Sequence, residues 1–423
     1  MKIAIIGAGV IGLSTARSLL ARGEADLTVF DRHDGPGLDA SFANGALLHP
    51  SLVEPWNSPG ILRYVLRNLG NDQAAVLLRW KALPSLLGWG WRFVRESSPE
   101  RFVANTLANV ALARHSVQAM AGLAAEGIAF DHYARGTLVI HRDAQAFQSA
   151  REWSATLETA GLRPQVLDVD SLVALEPQLA SIAGDLVGAV HNVDDQAGDS
   201  YRYCVALEAA LAARGVRFAY GRPVAAIETA AGAVTGLRIA GQDSERFDAV
   251  VLAAGSLSTA LARSCGLALP VRPAKGYSIT FELPAGEAAP RTPVVDGALH
   301  LAVIPVGTDR LRVAGTAEFC GDDVQIARGR IANLQGNFAR VYPALARRQP
   351  PMAAREWAAL RPMCSDGKPL IGATRLPGLY LNTGHGHMGW TLAAGSGRVL
   401  AAQMTGEAPE IDARPFAPGR FGL

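Results

Sequence analysis

The chain opens with KIAIIGAGVIGLSTARSLLARGEADLTVFDRHDG, the stretch that most restricts what it can fold into. Lys2 to Ile6 is a short, continuously apolar run, as in a strand buried on both faces. Gly7, Gly9 and Gly12 follow in GxGxxG spacing and lead into a helix expected over about 10–22. A second strand, Leu27 to Phe30, ends at Asp31. In such a strand–turn–helix, Gly7 makes the tight turn, Gly9 lets the backbone approach a pyrophosphate, and Gly12 lets helix and sheet pack closely. The helix start offers unpaired N–H groups and a positive dipole end to phosphates. Asp31, 19 residues beyond Gly12, is placed to accept from a ribose 2′-hydroxyl. Strand, turn, helix, strand and terminal acid together imply a dinucleotide site. An acid at the strand end argues against NADP.

The rest of the composition narrows the function classes. With 423 residues, 49% of them hydrophobic, two or three domains or layers are expected. The net charge is +2, from 40 basic and 38 acidic side chains, with no basic stripe to neutralise a phosphate backbone; nucleic-acid binding is disfavoured. Cys204, Cys265, Cys320 and Cys364 are isolated, with no CxxC pair, which fits a reduced, cytoplasmic protein without a thiolate metal cluster. No secretory segment is expected, because glycines of the turn interrupt the first apolar run. No stretch approaches the roughly 20 uncharged residues that span a bilayer.

Two further stretches carry candidate chemistry. In LNTGHGHMGWTLAAGSGRVL, His385 and His387 lie among glycines before a helix expected from about Trp390. Two histidines at i,i+2 lack the third or fourth ligand that zinc usually recruits, so no metal site is expected. A glycine turn that presents backbone to a flat ring fits better. In GLDASFANGALLHP, Ser41, Asn44 and Gly45 offer a hydroxyl, an amide and bare backbone to a ring system. Trp80, Trp89 and Trp91 stand in an Arg/Lys-containing stretch, AVLLRWKALPSLLGWGWRFVRE; they either pack against a sheet or seat a helix on a membrane surface.

The sequence resembles the flavin-dependent D-amino-acid oxidase/glycine oxidase superfamily, and within it the bacterial D-amino-acid dehydrogenase small subunits. The resemblance covers nearly the whole chain and rests on IIGAGVIGLSTA, SFANGALLHP, EPWNSPG, DDQAGDSYRY, VVLAAGS, RPAKGYSIT, LRPMCSDGKPLIG and NTGHGHMGWTLAAGSG in that order. It implies FAD as cofactor and an α/β fold: a Rossmann-like FAD-binding domain built from separated segments, with a mainly antiparallel α+β substrate-binding domain. The FAD-binding parts are expected at 1–54, 161–274 and 353–423, and the substrate domain at 55–160 and 275–352. FAD contacts are expected from Gly7, Ala8, Gly9, Val10, Ile11, Gly12, Asp31, Arg32, Ser41, Asn44, Gly45, Ala46 and Leu47. Pro223, Val224, Ala254, Gly255, Arg361, Gly384, Gly386, His387, Met388, Gly389, Trp390 and Thr391 complete that set.

The resemblance also implies a small amino or imino acid as substrate. A planar arginine fork meets its carboxylate with two parallel bonds. Arg361 matches the arginine that performs this task in glycine oxidase relatives. Tyr277, His387, His49, Glu54 and Trp56 are further substrate-contact candidates. The position of His387 is an arginine in glycine oxidases; here a second fixed cation is lost, which suits a D-amino-acid dehydrogenase or an imino-acid variant. The reaction implied is hydride transfer from the substrate α-carbon to flavin N5, with desolvation of the amine in place of a dedicated base; no catalytic residue is assigned. Electrons are expected to pass to a quinone or respiratory carrier, in the cytoplasm or peripherally on the inner membrane. An oxygen-using oxidase of glycine, sarcosine or L-proline, a nicotinamide-dependent enzyme, and a non-catalytic FAD-binding assembly protein remain alternatives.

Overall fold

A computed structural model describes residues 1–68, 71, 74, 76–348 and 352–423. The segments expected at 55–160 and 275–352 therefore each contain a few positions outside the described residues.

Ile3–Ile6 is a strand with every residue buried, and the helix Val10–Ala21 follows it directly. Around that strand stands a six-stranded sheet in the spatial order Leu370–Ala373, Leu379–Thr383, Ala249–Leu252, Ile3–Ile6, Leu27–Phe30, Arg217–Ala219. Five strands run parallel and the Leu370–Ala373 edge is antiparallel. One face packs under the helices Val10–Ala21, Pro99–Ala125, Ser200–Ala212 and Gly389–Met404, which share a single apolar cluster with it. The other face is covered by a three-stranded antiparallel excursion, Val224–Ala230, Ala233–Ile239 and Glu245–Arg246. Strands covered on both faces read as unbroken apolar runs, as IAII and AVVL do.

The second layer is a nine-stranded sheet. Its centre is Val271–Glu282, paired antiparallel with Ala354–Cys364 on one side and Arg310–Phe319 on the other. Leu301–Val306, Val294–Asp296, Thr137–His141, Gly188–Asn192 and Pro164–Leu167 continue it, and Val76–Leu78 pairs with Arg310–Phe319. Six of its eight pairings are antiparallel, and the helix Arg328–Val341 fills one face with Ile331, Leu334 and Phe338.

The Rossmann-like layer and the mainly antiparallel layer are as expected, but three segment boundaries differ. Pro164–Leu167 and Gly188–Asn192 fall inside the expected FAD-binding part 161–274, yet they pair in the nine-stranded sheet. Ala354–Cys364, expected with the C-terminal FAD-binding part, is the edge strand of that same sheet. Conversely, Pro99–Ala125 belongs by packing to the Rossmann-like layer: its buried Val110, Leu112 and Val117 share the cluster of the final helix. The physical reason is register: these strands extend the larger sheet by backbone pairing, which apolar pattern alone does not reveal.

Candidate active site

The glycine turn is as tight as the spacing requires. Gly7 has φ +113°, and a Cβ there would lie 2.5 Å from the Ala253 carbonyl oxygen. A Cβ on Gly12 would lie 1.8 Å from the Gly7 carbonyl oxygen, so the helix can approach the strand only with hydrogen at that position. Asp31 braces the turn: its Oδ2 accepts from the Ala8 N–H at 2.7 Å and its Oδ1 from His33 N–H at 2.9 Å. The Ser41 hydroxyl oxygen accepts from Val10 N–H at 3.1 Å, satisfying one N–H of the helix start.

A cavity of about 980 Å³ runs from this turn, between the two sheets, to Arg361. Gly7, Gly9, Val10, Ile11, Asp31, Arg32, Ser41, Asn44, Gly45, Ala46, Leu47, Pro223, Val224, Ala254, Gly255, Gly386, Gly389 and Trp390 border it, with Arg361 and His387. Five residues expected to touch the cofactor are instead behind the wall. Ala8 gives its N–H to Asp31, and Gly12 packs on Gly7. Gly384 turns the chain at φ +78° against Val271 and Cys364, and Met388 is buried in the helical core. The Thr391 hydroxyl donates to the Leu47 carbonyl and accepts from His49 N–H, tying the final helix to the loop over the cavity. Arg222, Ser256, Thr316, Asn382 and Thr383 also border the cavity and were missed from sequence. For Asn382 and Thr383 a signal existed: they end a parallel strand, where ligands of open α/β sheets bind.

Arg361 lies on Ala354–Cys364, opposite Ala274. Its guanidinium fits over Gly276, where a Cβ would come within 2.3 Å of Cζ. A β-bulge holds it from the other side. Gly276 pairs with Ala317 and Tyr277 with Gly315, leaving Thr316 as the extra residue at φ +57°. The Thr316 carbonyl accepts from Arg361 Nη1–H at 3.2 Å, and the Trp56 ring lies 5.5 Å from Cζ. No carboxylate pairs with Arg361 among the described residues. Burial lowers its pKa to about 10, still far above neutrality, so it remains a cation.

The imidazoles around it are neutral. His387 stacks on Trp56 at 5.3 Å and 18°. Burial pulls its pKa down to about 3, with neighbouring His49 and the Arg361 cation adding to the effect. Burial likewise lowers His385 to about 3 and His49 to about 4. All three border the cavity, and His387 Nδ1, His385 Nε2 and His49 Nδ1 are buried with no hydrogen-bond partner among the described residues. Among the described residues no three His, Cys, Asp or Glu side chains converge as metal ligands would. Trp56 and Glu54 line the same cavity. Tyr277 borders the cavity too; its hydroxyl donates to Glu318 Oε2 at 2.6 Å and its ring packs in the sheet core, which commits the phenol proton to that carboxylate.

The model of the FAD dependent oxidoreductase family matches residues 2–403. The chain belongs to that family. It is 37% identical to the D-amino acid dehydrogenase of Rhizobium johnstonii over 423 residues, covering all of both chains. It is 38% identical to the D-amino acid dehydrogenase of Paramagnetospirillum magneticum over 426 residues, 100% of this chain and 99% of that one. The fold is that of a glycine oxidase from Bacillus cereus (TM-score 0.74, 21% identity, 96% and 95% coverage) and an L-proline dehydrogenase from P. horikoshii (0.76, 16%, 99% and 97%). FAD is the cofactor of this oxidoreductase. The glycine cradle that a Cβ would fill, the braced helix N-terminus and the unpartnered His385 and Asn382 atoms along the cavity fit a long ligand that carries both phosphates and a polar ring.

Proposed function

We propose that this enzyme dehydrogenates a small D-amino acid or cyclic imino acid such as D-alanine, D-proline or a hydroxyproline, and passes the electrons to a quinone or respiratory carrier. One observation carries the reading: Arg361 is a cation in the cavity wall with no anionic partner among the described residues, a position that a substrate carboxylate completes. The D configuration is favoured by similarity over full length to D-amino acid dehydrogenases. Bound FAD supplies the hydride acceptor. Arg361 holds the carboxylate, with Gly276 and the Thr316 carbonyl fixing the plane of the fork. An ammonium has no lone pair to assist loss of hydride from Cα, so the amine has to be neutral. Three neutral imidazoles and the Trp56 face around it disfavour the ammonium form by desolvation. Water then converts a primary imine to the 2-oxo acid and ammonia; a cyclic secondary amine leaves as the cyclic imine.

The test is anaerobic bleaching of the yellow enzyme by D-alanine, D-proline and cis-4-hydroxy-D-proline against L-proline, glycine and sarcosine, followed by reoxidation with oxygen or a quinone. The D substrates should bleach fastest and quinone should reoxidise faster than air. Bleaching only by glycine or sarcosine, with rapid oxygen turnover, would reassign the enzyme as an oxidase. A pH profile follows from the same site. Histidines held near pKa 3–4 add no limb near 6.5, so kcat/KM should rise with deprotonation of the substrate amine alone. A limb between pH 6 and 7 that vanishes in His387→Asn would contradict this. For folding the sign is opposite to that of a paired histidine. Buried neutral histidines are harder to protonate folded than unfolded, so stability is full above about 6.5 and falls toward pH 4; Tm measured from pH 7 to 5 should drop.

Gly276→Ala should separate orientation from charge. The methyl would displace the guanidinium, raising KM for substrate tenfold or more while the flavin spectrum stays unchanged. Peripheral contact with the inner membrane is part of the same proposal. Trp80, Leu87 and Trp91 are 66%, 73% and 64% exposed, beside exposed Lys81, Arg92 and Arg95, whereas Trp89 turns inward and donates to the Met363 carbonyl at 3.0 Å. No helix among the described residues is long and apolar enough to cross a membrane. Co-sedimentation with anionic but not neutral vesicles, lost in Trp80→Ser/Trp91→Ser, is the expected result.

A further inference from the structure

The cavity contains one carboxyl group for which hydride transfer has no use. Glu54 borders it, and Glu54 Oε1 accepts from the Trp153 indole N–H at 2.7 Å. Trp153 comes from the helix Ala144–Thr159, and its ring lies 6.1 Å from that of Phe102, which also lines the cavity. The other acids along the wall are occupied: Asp31 by the Ala8 and His33 N–H groups, Asp39 by Arg32, Asp296 by Arg142. Among the described residues no cation pairs with Glu54, and Arg361 does not reach it. A carboxyl removed from water without a cation is unfavourable, and burial accordingly raises its pKa.

Resting on the reading of the cavity as an amino-acid site, we propose that Glu54 forms a distal subsite for a substrate side chain that ends in a cation, an amine or guanidinium on an aliphatic stem. Two arguments place this group away from the α-amine. The α-amine and α-carboxylate of one amino acid are two bonds apart. Arg361, which takes the carboxylate, is held on the strand Ala354–Cys364 by Gly276, the Thr316 carbonyl and the Trp56 face, whereas Glu54 is held by Trp153 of the helix Ala144–Thr159, whose ring neighbours Phe102: different elements hold the two groups. The chemistry points the same way. A carboxylate beside the α-amine would hold it as ammonium, the form that cannot release hydride. A carboxylate at the far end of an apolar wall has no such effect. Leu52, Trp56 and Phe102 border the cavity with Glu54 and suit a methylene stem, as lysine and arginine stems lie along apolar surfaces while their heads find a charge.

The direct probe is 6-aminohexanoate against hexanoate, binding to the oxidised holoenzyme and read by the change in flavin absorbance. Both offer a carboxylate to Arg361, and only the first carries a remote ammonium. The wild type should bind 6-aminohexanoate at least about tenfold tighter. Glu54→Gln should abolish that ratio and leave hexanoate affinity unchanged; Trp153→Phe, which frees the carboxylate without removing it, should reduce the ratio in part. In turnover, kcat/KM for D-lysine over D-norleucine should fall by a similar factor in Glu54→Gln. Equal wild-type affinities, or a ratio that survives Glu54→Gln, would overturn the subsite. Oxidation of D-norleucine with a flat ratio removes the subsite and leaves the proposed function. A preserved ratio in a protein whose flavin no amino acid reduces does the reverse.

Discussion

Arg361→Ala should keep its flavin and lose its substrate. The guanidinium takes no part in the glycine cradle, so the yellow colour and flavin stoichiometry should match the parent. The carboxylate of the substrate, by contrast, would enter the cavity wall with no cation. Truncating one partner of a desolvated, hydrogen-bonded charge pair costs about 2–5 kcal/mol, or roughly 30- to 5,000-fold in kcat/KM. Arg361→Lys should recover little of this. An ammonium is a point charge and cannot reproduce the planar fork set by Gly276 and the Thr316 carbonyl. Stopped-flow reduction of the flavin against substrate concentration separates binding from chemistry. A variant that reduced its flavin at parental efficiency would remove Arg361 from the site and with it the reading of the cavity.

Gly12→Ala should be isolated colourless. The added Cβ would stand 1.8 Å from the Gly7 carbonyl oxygen, inside any tolerated contact, and the obstacle is backbone at both ends. Relief requires the helix Val10–Ala21 to move off the strand. That motion carries away the Val10 N–H held by Ser41 and opens the turn that Asp31 braces. Flavin loss should be near complete in absorbance at equal protein concentration, and Tm should fall because ligand linkage is lost together with close packing. Gly88→Ala is the matched control: it sits in the helix Leu83–Arg95 with no described residue within 4 Å of the added carbon, so flavin and activity should be unaffected.

The legible parts were those whose meaning is local. Strand, glycine turn, helix and Asp31 lie within some thirty residues of chain, and Gly7 and Gly12 each answer to a backbone carbonyl while Gly9 answers to the Ser41 hydroxyl. Arg361 was legible only by motif, since an isolated arginine has the same pattern as a surface one. What stayed hidden was long-range. Thr316 has no sequence sign of its left-handed backbone, because the bulge arises from the pairing of two strands nearly forty residues apart. The partner of the Tyr277 hydroxyl, Glu318, is hidden for the same reason, because that same pairing brings the two together. Trp153 was not singled out at all, although it anchors Glu54 from 99 positions away. Pro164–Leu167 and Gly188–Asn192 join the larger sheet unannounced, because strand membership is decided by register across a sheet.

The six-stranded sheet has a bearing on how the polypeptide is made. Its neighbours in space are Ile3–Ile6, Ala249–Leu252 and Leu379–Thr383, and the helix Val10–Ala21 packs on Gly389–Met404. On the ribosome the first strand therefore emerges with one parallel neighbour, Leu27–Phe30, close behind it and the other, Ala249–Leu252, more than two hundred codons away. The nucleotide cradle cannot close until almost the whole message has been read, and the early apolar segment must wait exposed or shielded by a chaperone. Such distant pairings fold slowly. Pulse-labelled nascent chains stalled before residue 379 should fail to retain FAD, while chains released after the final helix should capture it.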